Sequence, residues 1–259
     1  MPRFAFKIEY DGRPFTGWQR QAETITVQGQ IEAALEKLED GPHTFFGAGR
    51  TDTGVHAEGQ VGHVDLQKPW QADRLRQAIN HHLKPDPIAL TAAVEVDGDF
   101  HARFGAIERT YRFEIVARRA PIVRDRGFVW HIGHALDVGA MRAGAAHLIG
   151  NHDFTTFRST MCQAQSPIKT LDGLDIDVAD YPGGGIKYTF SIVARSFLHN
   201  QVRSFIGTLE RVGSGAWHPD QVKDALESKD RQACGPVSPP DGLTLVHVRY
   251  PNSPFNEKN

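Results

Sequence analysis

Three glycines, an arginine and a carboxylate crowd the segment Gly47-Ala48-Gly49-Arg50-Thr51-Asp52-Thr53-Gly54-Val55-His56-Ala57. Glycine at that density suits a tight loop whose backbone comes close to another group. Asp52, two residues from Arg50, is the residue type that acid–base or covalent chemistry uses. By composition the same residues also make an ordinary turn with an Asx cap, because Asp and Gly favour turns. Asp52-Thr53-Gly54 spells the triplet of aspartic peptidases. Those enzymes need two carboxylates sharing a proton, and the second half holds no Asp-Thr-Gly or Asp-Ser-Gly. They also carry apolar residues before the triplet, where this chain has Arg50 and Thr51. Metal chemistry finds little support. There is no His-Glu-x-x-His, and His81-His82 and His131/His134 have no Cys or acid at ligand spacing. Neither a phosphate-binding Gly-x-x-x-x-Gly-Lys-Ser/Thr loop nor a Gly-x-Ser-x-Gly elbow is present.

The elements that must position this loop follow from hydrophobic period. Phe4, Phe6, Ile8 and Tyr10 alternate with polar residues as a half-buried strand, ended by Asp11-Gly12. Val27, Ile31, Ala34, Leu35 and Leu38 recur at helical spacing, with Thr26 as cap and Gly41-Pro42 as stop. Residues 55–66 are predicted extended, Leu75 to Leu83 helical up to Pro85, and Ile88 to Val96 a strand. The order then repeats. Residues 110–115 alternate as a strand, and 137–149 form a helix stopped by Gly150. Two strands, 174–178 and 188–194, flank Pro182-Gly183-Gly184-Gly185. Val202 to Val212 is a helix ending at Gly213, Pro219 opens a short one, and 243–250 is the closing strand. Each half resembles a split β-α-β unit. The expected fold is α+β: two ferredoxin-like halves, residues 1–105 with the Asp52 loop and 106–259, whose mainly antiparallel sheets join, with helices outside. The tail from Pro251 to Asn259 is expected to fray.

The chain has 259 residues, 40% hydrophobic and 23% charged, the profile of a globular protein of one or two domains. No stretch approaches the ~18 apolar residues of a membrane span. The alternating N-terminus is no signal peptide, so cytoplasmic localisation is expected. Two cysteines, Cys162 and Cys234, make no disulfide framework. The net charge of -2 is low for a nucleic-acid binder, yet charge is uneven. From His101 to Trp130 seven arginines face three acids, whereas Leu171 to Asp180 holds four acids and no base. A basic face can coexist with an acidic back.

Read together, the motifs say more than any one of them. They are Tyr10-Asp11-Gly12 with Gly17-Trp18-Gln19-x-Gln21; Gly49-Arg50-Thr51-Asp52-x-Gly54-Val55-His56-Ala57; Phe100-His101-Ala102-Arg103-Phe104; Arg109-Thr110-Tyr111-Arg112-Phe113; Gly150-Asn151-His152-Asp153-Phe154; Phe197-Leu198-His199-Asn200-Gln201-Val202-Arg203 running into Gly207-Thr208-Leu209; and Gly242-Leu243-Thr244-Leu245-Val246. In order and spacing they resemble the tRNA pseudouridine synthase A family over nearly the whole chain. That family isomerises uridines at tRNA positions 38, 39 and 40, in the anticodon stem-loop. Thr53, Gln201, Phe113 and Arg109 depart from its usual Ala, Met, Tyr and Lys.

The resemblance implies a reaction that cuts the bond from uracil N1 to ribose C1′, rotates the base and joins C5 to C1′, with no cofactor and no metal. Asp52 is then the catalytic carboxylate, attacking C1′ or removing a ribose proton to open a glycal route. Arg203 is its partner cation. Tyr111 stacks on the base and takes part in C5 proton transfer, Leu243 covers the other side, and the cleft lies between the halves. Arg50 and Thr51 of the loop, with Arg109, Arg118 and Arg119, are expected to contact RNA. The implied partner is the tRNA anticodon stem-loop, bound by a homodimer and away from membranes. The competing class is a non-catalytic RNA-binding protein of two ferredoxin-like halves. It requires exposed aromatics in an RNP-like pattern, which Arg109 to Phe113 approaches only faintly.

Overall fold

A computed structural model describes residues 1–255. In chain order the elements are β1 (Arg3–Tyr10), α1 (Val27–Glu36), β2 (Phe46–Gly47), β3 (His56–Asp65), α2 (Ala72–Leu83), β4 (Ile88–Val96) and β5 (Glu108–Ala117). Then come β6 (Trp130–Ile132), α3 (Val138–Ala146), β7 (Gly150–Asp153), β8 (Ile168–Asp180), β9 (Ile186–Ala194), α4 (Gln201–Gly213), α5 (Asp220–Ser228) and β10 (Leu243–Arg249). The fold is mixed α/β with mostly antiparallel pairing. It forms two compact units, Met1–Arg109 with the segment from Thr244, and Thr110–Leu243. The closing strand, expected with the second half, thus falls in the first unit from Thr244 on, with only its first residue, Leu243, in the second.

In the first unit β1 runs antiparallel to both β3 and β4. On its other side β3 pairs antiparallel with β2 at His63 and Gly62, and parallel with β10 at His56 and Ala57. The alternation of β1 does its work: Phe4, Phe6, Ile8 and Tyr10 are all buried. Phe6 and Trp18 close on Phe45, and Tyr10 on Trp18, with centroids 5.8 to 6.3 Å apart. Ring pairs at such spacing contribute ~0.5–1.5 kcal/mol each beyond their area. Helix α1 starts where Thr26 was expected to cap it, its side chain accepting from Gly29 N–H at 3.2 Å. It stops before Gly41-Pro42, because Leu38 and Glu39 N–H both turn back to Leu35 O. Leu75, Ile79 and Leu83 bury one face of α2.

In the second unit the strand order is β5-β9-β8-β7, with β6 parallel to β5. The hairpin of β8 and β9 turns at the expected glycines, but β8 begins at Ile168, six residues before the expected start, where it pairs with β7. Asp137 caps α3 by accepting from Ala140 N–H, and that helix ends at Ala146, ahead of Gly150. Phe154, Phe157 and Phe205 meet edge-on at 5.1 to 6.3 Å and anchor α4. Of the tail expected to fray, Phe255 is buried, and residues 256–259 lie outside the described residues. Among the described residues no helix is long and apolar enough to cross a membrane.

Candidate functional site

The loop from Gly47 to His56 hangs between β2 and β3, and polar contacts fix it at nearly every turn. Gln60 on β3 is fully buried. Its amide donates to Gly49 O at 2.8 Å, and its carbonyl oxygen accepts from Gly49 N–H at 3.3 Å. Thr51 is buried, its hydroxyl 2.7 Å from that of Tyr10 and its carbonyl accepting from Trp18 N–H at 3.1 Å. Asp52 O accepts from Val55 N–H at 3.1 Å, closing a turn through Gly54, whose φ is 79°. Burial pushes the Tyr10 hydroxyl far above its ordinary range, so it stays protonated and able to donate.

Two glycines let a second segment lie directly on this loop. Gly17 has φ 79°, and a Cβ there would sit 2.8 Å from Thr51 O. A Cβ on Gly12 would sit 2.0 Å from Val55 O, and Gly12 N–H donates to His56 Nδ1 at 3.1 Å. Asp11, next to Gly12, is held below the usual carboxylate range. Burial opposes its charge, but hydrogen bonds from Arg13 outweigh that cost. The loop is thus clamped from Asp11–Trp18 on one side and from Gln60 on the other. Asp52 is half-buried at its turn, and Arg50 and Thr53 on either side are exposed. The Thr53 departure therefore changes no packed position.

Arg109 occupies a different place from the one expected of an RNA contact. It is only 7% exposed, and its guanidinium donates to the carbonyls of Ala48 (2.7 Å), Arg103 (2.7 Å) and Ala106 (3.2 Å). It ties the start of the loop to the segment preceding β5. Tyr10, Trp18, Gln60 and His56 were not singled out by sequence as parts of the site.

The second unit carries the other expected residues. Tyr111 on β5 is buried and meets Phe197 edge-on at 5.2 Å and 87°. Arg203 lies in the first turn of α4, half-buried, with Nε donating to Ser238 O at 2.8 Å and Nη1 to Asn200 Oδ1 at 3.1 Å. Asn200 has φ 63°, a left-handed conformation that Asn tolerates better than most residues. Gln201, the second family departure, is buried, and its side-chain oxygen accepts from Leu198 N–H at 2.7 Å. It steadies the same turn. Leu243 is buried and follows Gly242, where a Cβ would meet Glu114 O at 2.5 Å and the Phe113 ring at 2.9 Å.

The two arginines expected on the basic face differ. Arg118 is half-buried and donates to the carbonyls of Ala120 and Pro121 while covering the Tyr181 ring at 5.1 Å. Arg119 is exposed. Among the described residues, no three His, Cys, Asp or Glu side chains gather as a metal site.

Comparison with known proteins bears on what this arrangement serves. The tRNA pseudouridine synthase family profile matches residues 7–105 and 145–251. A tRNA pseudouridine synthase A of Cereibacter sphaeroides is 64% identical over 255 residues, covering 98% of this chain and 99% of its own. The proteins of that name from Paracoccus denitrificans and Ruegeria sp. are 61% and 60% identical, each over 99% of this chain. With the Gly49-to-Ala57 motif inside the matched residues, the chain belongs to the tRNA pseudouridine synthase family.

Proposed function

We infer that the protein converts uridine to pseudouridine in the anticodon stem-loop of tRNA. The observation that carries this is the 64% identity, over nearly the full length of both chains, to a tRNA pseudouridine synthase A. The N1–C1′ bond breaks, the base turns, and a C5–C1′ bond forms. The C5 proton leaves and N1 gains one, so the product is an isomer and no electron or group is taken from outside.

Asp52 is the catalytic carboxylate. Both routes open to it, attack on C1′ or removal of a ribose proton, need it ionised and immobile. The clamp on Gly49, Thr51 and Val55 supports the second requirement. Arg203 supplies the positive charge that favours the first. Tyr111 stacks on the base and takes up the C5 proton, and Leu243 covers its other face. In this reading Asp52, Tyr111, Arg203 and Leu243 act on one uridine. That nucleotide must be turned out of its stack to be reached.

Arg50 and Arg119, both exposed, take phosphates. Arg109 and Arg118 are better suited to holding backbone, since their guanidinium groups already do so, and Thr51 to holding Tyr10 through its hydroxyl. The order β4-β1-β3-β2, with a helix following β1 and another following β3, supports a split β-α-β first half. A cytoplasmic homodimer remains the assembly that the family resemblance suggests. The test is release of tritium from unmodified tRNA labelled at uridine C5. Release accompanied by pseudouridine in the anticodon stem-loop is expected, and no release from folded tRNA would overturn the assignment.

A further inference from the structure

The first unit carries a second concentration of rings, apart from the Asp52 turn. His63 on β3 stacks on its cross-strand neighbour Phe46, with centroids 5.1 Å apart and planes 20° from parallel. His101 lies 4.7 Å from His63, 5.7 Å from Phe46 and 4.5 Å from Phe104. Phe46 is 45% and Phe104 71% exposed, whereas Phe4, Phe6, Phe15 and Phe45 of the same unit are buried. Phe46 also forms a wall of a surface depression with Pro42, Thr44 and Asp65.

The cluster is pre-shaped and uncharged on its ring faces. Ala102 N–H donates to His63 Nδ1 at 3.2 Å, and Arg103 and Phe104 N–H donate to His101 Nδ1 at 3.1 and 3.3 Å. A ring nitrogen that accepts holds no proton, so both imidazoles are neutral. Burial, then His101 and Arg3, push His63 down to about 4, and burial, Arg3 and Arg103 lower His101. Arg3 donates a two-point bond to Asp65, with Asp99 also near it. The charge offered beside the exposed rings is Arg103, itself exposed, its guanidinium 5.6 Å from the Phe104 ring centre.

The Phe46 and Phe104 rings are inclined 54° and 42° to that of His101, and neutral exposed rings with a cation at the rim offer separate faces on which an unpaired nucleobase can stack beside its phosphate. We propose that Phe46, His101 and Phe104 form a stacking platform for an unpaired base of the RNA substrate, with Arg103 against the adjoining phosphate. This rests on the chain being a tRNA-modifying enzyme. The base held here is not the reacting uridine. His63 is seven residues along β3 from His56, roughly 20–25 Å at the rise of a strand. The platform therefore reads a part of the RNA away from the target and contributes binding, not chemistry.

The test uses the full chain and an unmodified tRNA transcript. Phe46→Ala and Phe104→Ala should each weaken tRNA binding about 5- to 150-fold, the range for one lost base–aromatic stack. Single-turnover rates at saturating enzyme should stay at the wild-type value, and Phe104→Trp should restore affinity. Phe104 is exposed enough that its replacement tests the idea alone if Phe46→Ala fails to fold. Unchanged affinity in Phe104→Ala overturns the proposal. So does a changed sedimentation coefficient with unchanged RNA affinity, which would assign the face to contact between copies. Wild-type protein that releases no tritium from the same transcript would remove the functional reading itself. Wild-type release with unaltered Phe104→Ala affinity removes only the platform.

Discussion

The clamp on the Asp52 loop is open to a direct test at Tyr10. Tyr10→Phe removes one oxygen and leaves the ring between Trp18 and the sheet. The Thr51 hydroxyl, 2.7 Å away and in a residue 6% exposed, then loses that partner. A neutral hydrogen bond contributes a net ~0.5–1.5 kcal/mol, and a buried group left without its partner costs about 1–3 kcal/mol. The expected loss of stability is therefore about 1–3 kcal/mol, or roughly 2–10 °C in melting temperature for a chain of this size. Thr51→Val should cost a similar amount. The double variant should cost less than the sum, because no orphaned hydroxyl remains. Turnover should fall further than stability explains, since Thr51 precedes Asp52 and a misplacement of about 1 Å can cost ~10²-fold in rate. Denaturant titration of the four proteins gives the coupling, and single-turnover tritium release gives the rate. Coupling below about 0.3–0.5 kcal/mol, or a wild-type rate in Tyr10→Phe, would refute the claim that this contact positions Asp52.

Three further outcomes follow from the site. Tyr111→Phe keeps the ring and loses the hydroxyl, so tritium release should drop ~10²–10⁴-fold with RNA held as an adduct; near wild-type release would leave Tyr111 a stacking role only. Gly12→Ala places a Cβ 2.0 Å from Val55 O, so the loop must move; melting temperature and turnover should both fall, and an unaffected enzyme would show that the approach of Gly12 is dispensable. Binding should weaken steeply with salt, and Arg119→Ala should lower the slope of log K against log salt by about 1, whereas Arg118→Ala should lower stability with the slope kept. Equal slope changes in both variants would contradict the division of labour between them.

Much of this is legible in the sequence, for physical reasons. Alternation such as Phe4-Phe6-Ile8-Tyr10 and stripes such as Leu75-Ile79-Leu83 are local signals, and they mark elements that bury one face. Strands β2, β6 and β7, two to four residues long, carry no pattern of their own. They exist because β3, β5 and β8 offer them a ladder. The loop could be recognised as special from its glycines, but its clamp could not. Tyr10 lies 41 residues from Thr51, and Arg109 lies 61 from Ala48. One signal at Arg109 was readable: strand period two puts it in phase with Tyr111, Phe113 and Ile115, the buried positions of β5. An arginine on that face must satisfy its donors inside the protein, which argues against a phosphate contact.

The account stands or falls on Asp52, and Asp52→Asn measures it. The amide keeps the shape of the carboxylate but is neither nucleophile nor base. With unmodified tRNA labelled at uridine C5, the variant should bind the tRNA nearly as well as wild type and release no tritium. Appreciable release by a folded Asp52→Asn protein would contradict the assignment of the chemistry to this loop.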